Sequence, residues 1–204
     1  MRSIASLLLA CLAQAAPSLP PPYPRPGVDK ILDNDRVQVW NIAWPKGEPT
    51  ALHRHLYDLV GPYYEPGDRV ITSPEGAKRS VSTRAFDIAF QRAGLTHIEE
   101  GVSVAPLRAV FVEMKIAGPY GFVGPESGAP PAAAGFATQK LDNDRATVWE
   151  FTTPPAAASH RHARDTVVIT IDGWTPRAAW IPHGTTHDRD GDGSGSRVYL
   201  IELK

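Results

Sequence analysis

Residues 32–40 read LDNDRVQVW, and residues 141–149 read LDNDRATVW. Leu32, Asp33, Asn34, Asp35, Arg36, Val39 and Trp40 recur 109 positions later as Leu141, Asp142, Asn143, Asp144, Arg145, Val148 and Trp149. The correspondence runs on. His53-Arg54-His55 and Asp58 recur 107 positions later as His160-Arg161-His162 and Asp165. Gly94-x-x-His97 recurs as Gly184-x-x-His187, and Arg108…Val112-Glu113-Met114-Lys115 recurs as Arg197…Ile201-Glu202-Leu203-Lys204. So many matches in one order mark a tandem duplication. The units span 28–115 and 137–204, and 116–136, rich in Gly, Pro and Ala, reads as a linker.

Each unit has the pattern of short strands. Val37 and Val39 alternate with Trp40, Ile42 and Trp44, so the two sets face opposite ways. Ala109 to Val112 is β-branched and aromatic, as strands prefer. Glu65-Pro66-Gly67-Asp68 and Ser73-Pro74-Glu75-Gly76 mark turns. Thr83 to Ala93 carries Phe86, Ile88 and Phe90 at period two and is expected as strand. An all-β antiparallel sandwich or jelly roll follows. From the middle His to the last, the second unit is 17 residues shorter than the first. Strands average about five or six residues, so the second barrel is expected to lack a hairpin.

Composition narrows the function classes. The 204 residues are 42% hydrophobic and 21% charged, with a formal net charge of −1, so no nucleic-acid partner is expected. The N-terminus reads as an address. Met1-Arg2 precedes an apolar stretch, and Ala13-Gln14-Ala15 fits signal-peptide cleavage, giving a periplasmic or extracellular protein. Leu8-Leu9-Ala10-Cys11 resembles a lipobox, an alternative in which Cys11 carries a lipid anchor. Residues 16–27 read as a Pro-rich spacer. No segment is long enough to span a membrane. Cleavage after Ala15 removes the one cysteine, leaving a chain without disulfides.

Six of the seven histidines fall at repeat-equivalent positions. Residues two apart on a strand point the same way, so His53 and His55 project together. A third imidazole from a neighbouring strand completes a facial N3 set that suits divalent Fe, Mn, Ni, Cu or Zn. The alternative is a hydrogen-bonded His pair without metal. Pro182-His183-Gly184 reads as a turn. Asp188-Arg-Asp190-Gly-Asp192-Gly193 resembles the start of a calcium loop, but Tyr199 stands where the bidentate Glu belongs, so it reads as a polar hairpin tip. The repeated Asp-Asn-Asp-Arg is expected to build a turn, with its Arg reaching a carboxylate across the strand.

These residues resemble the cupin motifs. The first cupin motif is G, five residues, HxH, three or four residues, E, six residues and G; here Gly47 precedes His53-x-His55 at that distance. The second, PxGxxH, is matched by Pro182 to His187, whereas the first unit has Arg92 in place of the proline. The resemblance covers 28–204 and implies a bicupin, two double-stranded β-helix barrels, with metal held by His53, His55 and His97. His160, His162 and His187 are the second implied set. The family's glutamate is missing: Leu59 and Val60 stand at its two positions, and Thr166 and Val167 in the second unit. Asp58 and Asp165 are one residue early, so strand parity points them away from the histidines. Glu99, two after His97, is either an inward substitute ligand or general acid, or a solvated glutamate at a strand end.

Two function classes follow. One is a metal-dependent enzyme, an oxygenase or related oxidoreductase on a small organic substrate, in which Arg54 or Glu99 positions or protonates the substrate. The other is a non-catalytic ligand-binding or sensory cupin. The two units are expected to pack as a pseudo-dimer within one chain, with a homodimer as a further possibility.

Overall fold

The computed structural model describes residues 18–116, 137–151, 159–188 and 197–204. The signal segment with Cys11, nearly all of the linker, and the acidic tip after Asp188 lie outside the described residues. The described residues contain no helix, and so none long and apolar enough to cross a membrane.

The first half has nine strands: β1 (Val28–Asp33), β2 (Val37–Trp44), β3 (His53–Arg54), β4 (Asp58–Glu65), β5 (Gly67–Thr72), β6 (Lys78–Thr83), β7 (Ile88–Gln91), β8 (Thr96–Gly101) and β9 (Leu107–Met114). They form one sheet in the order β1-β2-β9-β4-β7 and a second in the order β3-β8-β5-β6. The second half has β10 (Ala137–Asp142), β11 (Ala146–Phe151), β12 (His160–Arg161), β13 (Thr166–Asp172), β14 (Thr175–Ile181), β15 (Thr186–His187) and β16 (Arg197–Leu203). Its large sheet runs β10-β11-β16-β13-β14, the same order strand for strand, and β12 pairs with β15 as β3 pairs with β8. The expected missing hairpin is β5–β6. In the second half β13 turns directly into β14 through Gly173-Trp174. Strand β7 is shorter than expected, because Phe86 lies in a turn with φ +70°.

The phrase that opens each half is a hairpin. Asn34 Oδ1 accepts from the amides of Arg36 (2.8 Å) and Val37 (2.9 Å), and Asn143 Oδ1 does the same for Arg145 (2.8 Å) and Ala146 (2.9 Å). An Asn side chain closing its own turn in this way fixes register on both sides. Register shifts by a bulge between Lys30 and Leu32, and at the equivalent place between Gln139 and Leu141.

The alternation of β2 splits its side chains between two cores. Trp40, Ile42 and Trp44 enter the first barrel with Leu59, Tyr63, Leu107 and Phe111. Val37 and Val39 face the other way and pack with Val112, Met114, Val148, Ile169, Ile201 and Leu203 in one cluster spanning both halves. Each fully buried aliphatic side chain is worth about 1.5–3 kcal/mol, so apolar contact dominates the joint between the barrels.

The Arg of the repeated phrase finds a carboxylate on the opposite barrel, not across its own strand. Arg36 pairs with Asp165 (2.9 Å), and Arg145 pairs with Asp58 (2.8 Å). These are the same two repeat positions, exchanged. Arg108 lies over Trp174 (5.2 Å) and its equivalent Arg197 lies over Phe86 (3.7 Å). A pseudo-twofold relation between the halves places each cation against the other barrel.

Trp40 Nε1 donates to Glu113 Oε2 (2.8 Å), and Trp149 Nε1 to Glu202 Oε2 (3.1 Å). Burial pushes Glu113 from 4.5 up to about 6, partly opposed by the Trp40 hydrogen bond and by Lys30. A raised carboxyl binds an extra proton in the folded state, so its stabilisation is complete below pH 4.5 and lost as pH rises through 6. The loss is about 2 kcal/mol. Glu113→Gln is expected to remove this slope, read as the difference between variant and wild-type urea unfolding at pH 4 and pH 7. Parallel profiles would refute it.

Candidate metal centre

The two histidine triads are built alike. His53 on β3 stands opposite His97 on β8, and His160 on β12 opposite His187 on β15. The turn that delivers the third histidine is latched to the middle one. Gly94 N–H donates to His55 O (2.8 Å) and Gly184 N–H to His162 O (2.8 Å). These glycines have φ +92° and +70°, a conformation a side chain would strain. That is why Gly-x-x-His recurs in both units.

In the first barrel His53, His55 and His97 are buried, with ring centroids 4.8–5.1 Å apart. Their ligand nitrogens all lie within 4.8 Å of one another. His55 Nε2 and His97 Nε2 are 3.2 Å apart. Two nitrogens each about 2.1 Å from a single metal and at about a right angle have about this separation. His53 Nδ1 meets Ala51 O at 2.9 Å, which as an N–H donor leaves Nε2 with the lone pair. That Nε2 is buried without a protein partner. Burial lowers His55 to about 3 and also lowers His97, in both cases partly opposed by Glu99. Both imidazoles are neutral at pH 7, the form that binds metal. The residues present fit a divalent transition metal.

In the second barrel His160, His162 and His187 also bring their ligand nitrogens within 4.8 Å. His162 is buried, but His160 and His187 are half-buried. His162 Nδ1 lies 4.0 Å from Glu202 Oε1.

Glu99 faces inward, as strand parity with His97 requires, and is buried, so it is not a solvated strand end. Arg69 Nη1 lies 2.7 Å from its Oε1, Trp44 Nε1 donates to its Oε2 (2.9 Å), and His97 Nε2 is 3.9 Å away. Arg69 Nη2 also donates to Tyr63 OH. Burial alone would raise the Glu99 pKa, but Arg69, His97 and the Trp44 bond outweigh it and hold it at about 2. Glu99 is therefore an ionised acceptor at neutral pH, suited to a carboxylate ligand and not to donating a proton. At the cupin glutamate's two positions, Leu59 packs inside the barrel and Val60 packs in the joint.

Arg54 is not brought to the triad. Strand alternation turns its side chain to the opposite side from His53, and it is exposed. Asp58 and Asp165 point to the joint, as parity required. His183 lies in a turn, with Nδ1 on Asp165 Oδ1 (2.7 Å). Sequence reasoning missed Tyr23, Trp44, Tyr63 and Arg69. Tyr23 comes from the Pro-rich stretch, which docks on the barrel: Arg54 N donates to Pro20 O (3.0 Å), and the Tyr23 ring lies 5.2 Å from Trp40 and 6.5 Å from His55. Tyr23, Tyr63, Arg69, His55, His97 and Glu99 border a cavity of about 270 Å³.

No protein-family model and no curated protein matches the sequence. Solved structures do. The structure of AerE from Microcystis aeruginosa is 12% identical, with a TM-score of 0.60, over 92% of this chain and 99% of its own. A cupin 2 conserved barrel domain protein from Leptotrichia buccalis is 16% identical, with a TM-score of 0.50, over 87% of this chain and 88% of its own. A cupin domain from Bordetella pertussis Tohama I is 27% identical, with a TM-score of 0.41, over 46% of this chain and 99% of its own. At the identities of the first two, the likeness is one of fold. With the strand order written twice and a histidine triad in each barrel, this chain has a bicupin fold, two cupin-like double-stranded β-helix barrels in tandem.

Proposed function

We propose that the protein is an exported, metal-dependent oxidoreductase of oxygenase type, acting on a small organic substrate in the first barrel. The observation that carries this reading is the convergence of three buried imidazoles beside a cavity large enough for a small molecule. His53, His55 and His97 would hold a divalent Fe, Mn, Ni, Cu or Zn, with Glu99 beside His97 as the nearby carboxylate. A redox-active metal such as Fe(II) on these ligands would supply Lewis acidity and a route for electrons to dioxygen. The chain's own groups set the surroundings. The Ala51 carbonyl orients His53, Arg69 and Trp44 hold the Glu99 carboxylate, and Tyr23 with the barrel core limits water.

The test is metal content of the protein from its native compartment, with His53→Ala beside it. About one tightly held equivalent, lost in His53→Ala and retained in His160→Ala, is the expected result, followed by substrate-dependent oxygen uptake. A folded wild type that takes up no metal would favour a second reading, a non-catalytic ligand-binding cupin. The absent family glutamate supports that alternative. Export is tested by N-terminal sequencing of the mature chain: a start after Ala15 fits signal cleavage, and a lipid-modified Cys11 fits an anchor.

A further inference from the structure

The two barrels differ most by one hairpin, β5–β6, and that hairpin supplies one wall of the first barrel's cavity. Arg69, Ile71 and Arg79 come from it, and Leu59, Ala89 and Phe111 form an apolar wall elsewhere. A second hollow of about 220 Å³ adjoins it outside, bordered by Ser73, Lys78, Arg79, Thr96 and His97. Arg79 and His97 border both, so the outer hollow reads as the approach to the triad.

The charges along this route are mostly of one sign. Glu99 is the one carboxylate bordering either hollow, and Arg69 neutralises it. Glu75, on the turn between β5 and β6, is hydrogen-bonded by Ser73 Oγ (2.7 Å) and borders neither. Arg79 and Lys78 have no carboxylate partner among the described residues. A cleft lined by one sign of charge raises the local concentration of the opposite ion. A guanidinium with its fork unused matches a carboxylate in a bidentate way.

We infer that the first barrel takes small monocarboxylates with an apolar body, the carboxylate held by Arg79 at the mouth and the body against Leu59, Ala89 and Phe111. The inference deepens the proposed function, resting on it only in taking the first barrel as the working site. The second barrel joins β13 to β14 directly, so it has no counterpart of this wall among the described residues. It retains a histidine triad without the carboxylate subsite.

The experiment is calorimetric titration of the full chain with benzoate and with its neutral isostere benzamide, in both Co(II)-loaded and chelator-stripped protein. Benzoate is expected to bind in both states, and benzamide about tenfold or more weaker. Arg79→Gln is expected to weaken benzoate about tenfold or more while leaving Co(II) stoichiometry unchanged. Lys46→Gln, which removes the same charge from an exposed site elsewhere, is expected to leave benzoate affinity unchanged. Equal binding of benzoate and benzamide, no benzoate binding in either state, or an Arg79→Gln protein that binds benzoate like wild type would overturn the inference. Co(II) uptake without benzoate binding would remove the carboxylate subsite and spare the metal reading. Benzoate binding through Arg79 without Co(II) uptake would do the reverse.

Discussion

Arg69→Met is expected to cost about 3–5 kcal/mol of stability in metal-stripped protein at pH 7, the range for breaking one side of a buried ion pair. Both side chains are enclosed, Arg69 at 10% exposed and Glu99 at 7%. Met keeps the volume of the stem and removes the guanidinium. Glu99 then holds its charge in the barrel with the Trp44 N–H and little else, and Tyr63 loses a donor. Arg69→Met/Glu99→Gln is expected to recover much of the loss, because the orphaned charge is gone. The pH dependence gives a second signature. Glu99 sits at about 2, below its ordinary 4.5, so its contribution is complete above pH 4.5 and lost as pH falls through 2. It amounts to about 3 kcal/mol. In Arg69→Met, burial goes unopposed by the guanidinium, the carboxyl rises, and protonation relieves the variant on acidification. The stability gap between wild type and Arg69→Met is therefore expected to narrow from pH 7 to pH 4 in urea titrations. A cost under about 1 kcal/mol, the worth of an exposed pair, would show that Arg69 and Glu99 do not form the enclosed pair described.

The duplicated phrase made the fold legible, because strand alternation and turn chemistry are local. Val37, Val39, Trp40 and Trp44 state their faces by parity alone, and Asn34 closes a turn with its own neighbours. The triads were legible for the same reason, since His-x-His on a strand needs only period two. Glu99 was half legible. Parity turned it inward, but its counter-charge comes from Arg69, thirty residues earlier on another strand. Nothing local links the two, and an isolated Glu near a strand end is more often solvated. Arg54 misled because adjacency in sequence to two ligands means the opposite face on a strand. Tyr23 was hidden by its setting: a proline-rich run reads as a spacer, and its docking depends on Trp40 and Pro20 contacts that no periodicity encodes. The partners of Arg36 and Arg145 needed the pseudo-twofold relation. Both the Arg and the Asp recur at nearly equal offsets, which is the trace such an exchanged pair leaves in a sequence.

That exchanged pair sets the last expectation, which separates burial from symmetry. Arg145 is 6% exposed and Asp58 13%, whereas Arg36 is 36% exposed against Asp165 at 6%. Arg145 Nη2 also donates to Ile116 O (2.6 Å). Arg145→Met is expected to cost about 3 kcal/mol, the low end for a broken buried pair, since Arg92 (3.3 Å) and the Ala93 amide (2.8 Å) still reach Asp58. Arg36→Met is expected to cost less, about 1 kcal/mol, because Arg36 is itself partly exposed. Asp165 keeps the amide of His183 (3.0 Å) and its ring Nδ1 (2.7 Å) when Arg36 is removed. Urea unfolding of both single variants, with Asp58→Asn and Arg145→Met/Asp58→Asn completing a double-mutant cycle, measures the difference. A coupling of about 1.5–3 kcal/mol for Arg145 with Asp58 fits a charge-assisted bond in a desolvated joint. Equal costs for Arg36→Met and Arg145→Met would mean that repeat position, and not enclosure, sets the strength of these pairs. Unequal costs would mean that two copies of one ion pair have diverged in weight, the first barrel's Asp58 being the carboxylate whose charge must be met for the barrels to stay in register.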